Sequence, residues 1–178
     1  ISDRWGPTKL NEEMAIRWDV PDPETINVTA GYVSEWQQND DASEFIFTLR
    51  DGLKWSDGAP VTTADVKFWY DEMYIGGLTN KPSWLTLQGT DMALEVVDDR
   101  TYKISFPAPN PLLPISMAKL TGGNPGGPSM MAPAHYLSQY LGDRGDQAKI
   151  DAAIADNGLA TWEELFGNAG DLQGPIAF

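Results

Sequence analysis

Residues 45–70, FIFTLRDGLKWSDGAPVTTADVKFWY, predict a strand, two tight turns and a capped helix in one uninterrupted run. Large apolar side chains occupy every second position along 45–49, which is the period of a half-buried strand. Asp51-Gly52 follows directly, and this dipeptide suits a tight turn because glycine accepts positive φ. Residues 56–58, Ser-Asp-Gly, predict a second turn after a short return strand.

A helix is predicted to begin just after the second turn. Thr62 is a suitable N-cap, and Asp65 three residues later completes a capping box in which Glu or Gln is more usual. Asp65 also lies in the first turn, where the helix dipole favours a negative charge. Gly76-Gly77 predicts the end of the helix. The apolar face follows the i, i+3, i+4, i+7 spacing and consists of Val66, Trp69, Tyr70 and Met73.

This segment closely resembles the signature of the bacterial extracellular solute-binding proteins of family 5, the peptide- and nickel-type receptors of ABC importers. The resemblance is strongest over residues 45–73 and moderate over 92–141, where APAHYL at 132–137 is similar to a helix start that the family often has. The matching positions in the signature are Leu49-Arg50, Gly52, Trp55, Asp57-Gly58, Pro60, Thr62 and Asp65-Val66.

The resemblance implies an α+β fold, with a mainly antiparallel sheet and packed helices. It corresponds to the smaller subdomain of lobe I in a class II receptor of the periplasmic-binding-protein type. Family members are usually longer and have two lobes that close on a ligand. Residues 1–178 are therefore expected to form a single domain, excised from a larger receptor, that serves as a scaffold beside the ligand cleft. No ligand-binding residues carry over, because the matching motif is not a ligand motif.

The resemblance also implies a cellular role for the full-length protein. It would be periplasmic or extracellular, attached to the membrane surface, and would deliver a peptide or similar solute to an ABC transporter permease. We expect a monomer with no cofactor. A peptide, a sugar and a nickel chelate all remain open as the solute.

Composition excludes several other classes of protein. The 178 residues carry a formal charge of −14, so the basic surface that nucleic-acid binding needs is missing. With no cysteine, disulfides, thiolate metal sites and cysteine nucleophiles are excluded. No apolar run approaches the ~20 residues that cross a bilayer. Neither a signal peptide nor an initiator Met is present, which is consistent with the expected fragment.

The remaining pattern predicts one sheet and several short helices. The expected sheet strands lie near 26–30, 45–50, 92–97 and 101–106, with Val61–Met73 packed on the sheet. The polar residues 37–43 and residues 78–89 are predicted as loops, and 122–128 as a Gly/Pro-rich connector. Helices are predicted around 113–120, from Pro133 at position N1 through Leu141, over 147–156, and after a capping box at 161–164.

The polar residues give no convincing catalytic or metal site. His135 is the only histidine, so a zinc site would need three carboxylates around it. A serine triad would rely on Ser129, which lies outside any nucleophile-elbow motif. Asp57 and Asp65 belong to the signature, but their positions predict a turn and a helix cap. We therefore predict no catalytic residues and no metal ligands, and we expect most of the ligand pocket outside this chain.

Two alternatives to a transport receptor remain open at this stage. A small carbohydrate-active enzyme domain could use the acidic pairs 40–41, 98–99 and 163–164 together with an aromatic such as Trp84. Adjacent residues do not face each other, however, so solvated turns explain these pairs better. A cell-surface interaction module is the other alternative.

Trp55 lies between the two predicted turns. Its side chain is predicted to be buried against the helix that follows.

Overall fold

The computed structural model describes residues 14–22, 24–78, 81–118 and 130–167. In this part of the chain the strands are β1 (Ile16–Asp22), β2 (Thr25–Ala30), β3 (Val33–Gln38), β4 (Glu44–Leu49), β5 (Thr86–Leu87), β6 (Thr90–Asp91), β7 (Ala93–Val96) and β8 (Thr101–Ser105). The α-helices are α1 (Thr63–Phe68), α2 (Leu113–Ala118), α3 (Ala134–Leu137), α4 (Gln147–Asn157) and α5 (Trp162–Gly167).

The central sheet has four antiparallel strands in the order β3-β4-β8-β7. Along β4 the side chains of Phe45, Phe47 and Leu49 are buried, whereas Ile46 between them is exposed. Phe47 stacks on Tyr102 of β8, with ring centroids 5.2 Å apart. The predicted α+β class, the strand at 45–50 and the hairpin formed by 92–97 and 101–106 are confirmed.

Helix α1 lies against the inner face of this sheet and continues as a π-helix over Trp69–Ile75. The backbone N–H of Gly76 donates to the Asp71 carbonyl at 2.9 Å, a bond that spans five residues instead of four. This wider turn changes the buried face. Val66, Trp69 and Met73 are fully buried as predicted, but Tyr70 is only half-buried, and Tyr74, outside the predicted face, is fully buried.

The predicted membership of the sheet was wrong for one strand. The strand predicted near 26–30 exists as β2, but it pairs with β1 in a separate two-stranded ribbon. The fourth strand of the sheet is β3, which includes Gln37 and Gln38 of the predicted loop. The side chains of β3 are mostly exposed because it is an edge strand with only Val33 buried, so apolar alternation is absent there.

The predicted loop at 78–89 also contains regular structure. A 3-10 helix covers Ser83–Leu85, and the short hairpin of β5 and β6 follows it. Gln88 and Gly89 connect the two strands with φ of 52° and 78°, the left-handed pair that a type I′ turn requires. Sequence inspection missed this hairpin because each strand is only two residues long.

The C-terminal helices follow the predictions with small changes. Helix α4 agrees to within one residue, with Asp146 as its N-cap and Gly158 in the left-handed conformation after its end. Pro133 is the N-cap of α3 instead of its first helical residue, and a 3-10 turn at Ser138–Tyr140 replaces its predicted second half. The predicted connector at 122–128 and residues 119–120 of the predicted helix lie outside the described residues. No helix in the described ranges is long and apolar enough to span a membrane.

Candidate functional site

The turn at Trp55–Gly58 is built by its own backbone and by Asp57. The N–H of Trp55 donates to the Ala59 carbonyl at 2.8 Å, and the N–H of Gly58 donates to the Trp55 carbonyl at 2.8 Å. The Asp57 carboxylate accepts the Ala59 N–H at 3.1 Å, as expected for an Asp-Gly turn. Gly58 has φ of +90°, which a β-branched residue adopts only under strain.

Asp65 caps helix α1 as predicted. Its Oδ2 accepts the backbone N–H of Thr62 at 2.9 Å, while the Thr62 hydroxyl accepts the N–H of Ala64 at 3.3 Å. Both halves of the capping box are present even though aspartate has one methylene fewer than the usual glutamate. The cap is therefore the local reason why a helix begins at this point.

Asp65 also makes a long-range contact that its sequence position does not suggest. Its Oδ1 accepts the backbone N–H of Ala134 at 2.9 Å, and its carbonyl accepts the N–H of Ala132 at 3.2 Å. The residue is only 4% exposed, and this burial raises the pKa of its carboxyl. The hydrogen bonds from Thr62 and Ala134 act in the opposite direction and partly offset the effect of burial.

His135 adds a second connection between the same two segments. Its Nε2 lies 2.7 Å from Oδ2 of Asp57, and its ring centroid lies 6.4 Å from that of Trp55. The hydrogen bond from His135 is the main reason why the pKa of Asp57 is lowered. Both side chains of this pair are partly exposed to solvent. His135 is thus engaged at the start of its helix, as predicted, with an acidic partner 78 residues away.

Trp55 occupies the space between these polar groups. It is 5% exposed and belongs to the same buried core as Val66 and Trp69, so its predicted burial is confirmed. Its indole Nε1 makes no hydrogen bond of standard geometry with any residue in the described part of the chain. The Nε1–H still interacts with the Asp65 carboxylate and helps to lower the pKa of that group. We call Trp55, Asp57, Asp65 and His135 the signature cluster.

The chemistry available to the signature cluster is structural. The Asp65 carboxylate accepts two backbone N–H groups in a buried position, and the Asp57 carboxylate holds its own turn and His135. Each carboxylate oxygen named here therefore accepts at least one hydrogen bond from this chain, and these bonds hold a turn, a helix start and residues 134–135 together.

A second polar group, missed in the sequence, fixes the β5–β6 hairpin to the helix. The hydroxyl of Tyr74 contacts the Leu85 carbonyl at 3.0 Å and the Asp91 carboxylate at 3.1 Å, and the Thr86 hydroxyl donates to Asp91 at 2.8 Å. Lys81 forms an ion pair with Asp91 and lies 5.0 Å above the Tyr74 ring. Burial raises the pKa of Tyr74 to about 12.

In each acidic pair considered for an enzyme, one carboxylate holds a separate turn or helix start. Asp41 accepts the Ser43 N–H at 3.0 Å, Asp98 accepts the N–H groups of Arg100 and Thr101 at 2.8 Å, and Glu164 accepts the Ala160 N–H at 2.7 Å. Trp84 is half-buried and packs on the core. Within 14–22, 24–78, 81–118 and 130–167, no three potential ligands of the His, Asp or Glu type converge to hold a metal ion. Ser129 lies outside these ranges.

One local signal could have revealed the partner of Asp65. Pro133, the N-cap of α3, has no side-chain acceptor, so the first N–H groups of that helix need an acceptor from elsewhere. A buried carboxylate satisfies this need better than a neutral group would, since bonds to ionised acceptors are the stronger ones. The sequence does not show which carboxylate lies close enough.

Comparison with known proteins gives one family match. Residues 27–158 match the profile described as bacterial extracellular solute-binding proteins, family 5 Middle. A probable peptide ABC transporter periplasmic-binding protein of Sinorhizobium fredii is 37% identical over 90 residues, which are 48% of this chain and 15% of the relative. The probable D,D-dipeptide-binding periplasmic protein of Escherichia coli is 26% identical over 145 residues, 80% of this chain and 26% of the relative.

Solved structures agree with the sequence matches. An oligopeptide-binding protein superposes with a TM-score of 0.76 and 32% identity, and the match covers 98% of this chain but 26% of that protein. The chain thus spans about a quarter, or less, of the length of the relatives described here.

Proposed function

Because the chain belongs to family 5 of the bacterial extracellular solute-binding proteins, we propose that it is one part of a receptor that delivers a peptide or similar solute to an ABC transporter permease. The family membership is the observation that carries this proposal. The peptide class is suggested by relatives that are named peptide- or oligopeptide-binding proteins. The receptor would act in the periplasm or outside the cell, attached to the membrane surface, and would be a monomer.

Residues 1–178 act in this proposal as a single scaffold domain beside the ligand cleft. The solved oligopeptide-binding protein is about four times as long, so most of the polypeptide that could enclose a solute lies elsewhere. The side chains of the signature cluster are used to join segments of this chain to one another. The ligand-contacting residues would therefore come mainly from the remainder of the receptor.

Binding without catalysis is the second part of the proposal. The relatives described above are binding proteins, and the acidic groups of this chain serve turns and caps. A receptor of this kind needs shape and hydrogen bonds to recognise its solute, and it needs no group with a free proton-transfer position.

Calorimetric titration of the full-length receptor with short peptides tests the proposal. We expect saturable binding of one peptide per receptor and a higher melting temperature, since a ligand at about 100 times its Kd adds roughly 2.7 kcal/mol to the free energy of unfolding. His135→Ala is the variant that tests the scaffold role. It should lower the melting temperature but change the Kd for peptide by no more than about twofold. A tenfold change in Kd would correspond to about 1.4 kcal/mol of binding free energy.

Two results would contradict the proposal. Turnover of a glycan by the receptor, with no saturable binding of peptides or other small solutes, would favour the enzyme alternative. A large loss of affinity in His135→Ala, with an unchanged melting temperature, would place the signature cluster in the ligand site and remove the scaffold role.

A further inference from the structure

Helix α4 ends at the dipeptide Asn157-Gly158, where the asparagine amide is set up for a reaction with its own main chain. Of the asparagines in the 178 residues, Asn157 alone is followed by glycine. The side-chain amide of an asparagine can be attacked by the main-chain nitrogen of the next residue, and a glycine there has no side chain to hinder the approach. Asparagine is accordingly one of the heat-labile residues of proteins. Asn157 and Gly158 are both exposed, so water reaches the reacting groups.

The reaction at this dipeptide needs no partner other than water. The nitrogen of Gly158 loses its proton to solvent and attacks Cγ of Asn157, which forms the N–Cγ bond of a cyclic succinimide. The Cγ–Nδ2 bond breaks, and Nδ2 takes up a proton and leaves as ammonia. One water molecule then opens the ring at either carbonyl and gives aspartate or isoaspartate. In sum, one amide and one water become one carboxylate and one ammonium ion.

The folded end of helix α4 opposes this reaction. Nδ2 of Asn157 donates to the carbonyl of Ala153 at 2.9 Å, so the side-chain amide is turned back along the helix. The N–H of Gly158 donates to the carbonyl of Ala155 at 3.2 Å. Gly158 has φ of 64°, the left-handed conformation that ends many helices. A nitrogen whose proton is held in a hydrogen bond is a poor nucleophile, so ring closure requires this end of the helix to open first.

The other asparagines in the described ranges are protected more firmly. Asn110 precedes a proline, whose ring nitrogen carries no proton to lose. Oδ1 of Asn39 accepts the N–H groups of Ser43 and Glu44 at 2.9 and 3.0 Å, so that side chain is fixed within its turn. Asn27 lies inside β2 and precedes a valine, whose branched side chain crowds the attacking nitrogen. Among these asparagines, only the one at the end of α4 combines a following glycine with a position at a helix end.

We propose that Asn157 is a site of spontaneous deamidation, and that opening of the C-terminal end of α4 sets the rate of the reaction. Helix ends open more easily than helix centres, and the last turn of α4 is exposed at Ala155, Asp156 and Asn157. The rate in the folded protein is then the rate in the open chain multiplied by the fraction of time that the helix end is open. The inference goes beyond the transport role and does not depend on it.

The product of the reaction weakens the same helix end. A carboxylate at position 157 has no N–H to donate to the carbonyl of Ala153. It also places a negative charge at the C-terminus of a helix, where the helix dipole disfavours it. The isoaspartate form adds a methylene to the main chain that leads from α4 into α5. Once begun, deamidation therefore loosens the contact between these two helices.

Peptide mapping of the full-length protein by mass spectrometry tests the proposal. The folded protein and the protein unfolded in urea are incubated at the same neutral pH and temperature, and the deamidated fraction of the peptide that contains Asn157 is followed over time. Ala155→Gly loosens the last turn of α4, because glycine is a poor helix former, and it leaves the reacting dipeptide unchanged. Ala148→Gly, in the first turn of the same helix, is the matched control, since both alanines are exposed.

We expect Asn157 to deamidate at least about tenfold more slowly in the folded protein than in urea, but faster than the three other asparagines named above. Ala155→Gly should raise the rate in the folded protein about three- to fivefold and leave the rate in urea unchanged. Ala148→Gly should leave both rates within about twofold of the parent protein.

Four results would overturn the proposal. An Asn157 peptide that keeps its mass in urea refutes the site, as does faster deamidation at one of the other three asparagines in the folded protein. Equal rates in the folded protein and in urea refute the protection by the helix end. Equal effects of Ala155→Gly and Ala148→Gly refute the control by the C-terminal end, because the helix would then open as a whole or not open at all before the reaction.

Discussion

The carboxylate of Asp65 accepts hydrogen bonds from two segments at once, and its bond from the Ala134 N–H joins residues 69 positions apart. A residue that begins a helix therefore also holds the chain segment that begins another. The second connection joins Asp57 to His135, the residue next to Ala134. The turn at Asp57, the cap at Asp65 and the start of the distant helix α3 are therefore one physical unit.

Replacing Asp65 should destabilise the domain more than the loss of an ordinary helix cap. Asp65→Ala leaves the N–H groups of Thr62 and Ala134 without acceptors in a buried position, and we expect the free energy of unfolding to fall by about 2–4 kcal/mol. Urea denaturation measures this change. Asp71→Ala, which removes an exposed partner of Lys67, should change stability by less than about 0.5 kcal/mol. Equal effects of the two substitutions would contradict the long-range role of Asp65.

Trp55 should be a stability residue. Its indole is 5% exposed, so Trp55→Ala removes a large buried group and should lower the free energy of unfolding by about 3–5 kcal/mol. Thermal unfolding of the chain measures the role of Trp55 in stability, and peptide titration of the full-length receptor measures any role in ligand binding. Val97→Ala, on an exposed hairpin, serves as the control. An unchanged melt for Trp55→Ala, combined with lost peptide binding, would identify a pocket residue instead.

Asp57 should titrate below the usual aspartate value of 3.8 because His135 stabilises its ionised form. A depressed pKa in the folded state contributes stability above pH 3.8, and this contribution is lost as pH falls through the folded-state pKa. Carboxyl carbon NMR should show the Asp57 midpoint moving up toward 3.8 in His135→Ala. Asp98, whose pKa is lowered mainly by the N–H of Arg100, should keep its midpoint in the same variant. If the titration midpoint of Asp57 is unchanged in His135→Ala, the pairing of Asp57 with His135 is refuted.

Gln88 should be a site where stability can be gained. Its φ of 52° is the first left-handed position of the turn between β5 and β6, a conformation that asparagine tolerates better than glutamine. We expect Gln88→Asn to raise the free energy of unfolding by about 0.5 kcal/mol. Gln37→Asn on edge strand β3 has no such conformation to relieve and should not stabilise. Chemical denaturation that finds no difference between the two variants would argue against a strained turn.

The sequence predicted those parts of the fold whose causes are local. The strand at 45–50 shows in its alternating apolar residues, and the start of α1 shows in Thr62 and Asp65. Edge strand β3 was not predicted because most of its side chains face water. The pairing of β2 was assigned wrongly because a period of two gives the faces of a strand but not its neighbour.

The same distinction between local and long-range causes explains which parts of the candidate site could be predicted from the sequence. The turn at Asp57 and the cap at Asp65 follow from neighbours within three residues, and both were predicted. The contacts with Ala134 and His135 depend on the tertiary path of the chain, which no local pattern encodes. Tyr74 was missed for another reason, since a 3.6-residue period does not describe the π-helix in which it lies.

That π-helix has a consequence for comparing this chain with its relatives. The stretch Trp69–Ile75 takes up more residues per turn than a regular helix between the same two ends. A relative whose helix is α-helical throughout would reach the same endpoint with one residue fewer. Correct alignment then requires a single-residue gap inside this helix, where alignment methods usually penalise gaps. Without that gap, every position from Tyr74 onward in the helix would be equated with a neighbour that points in a different direction.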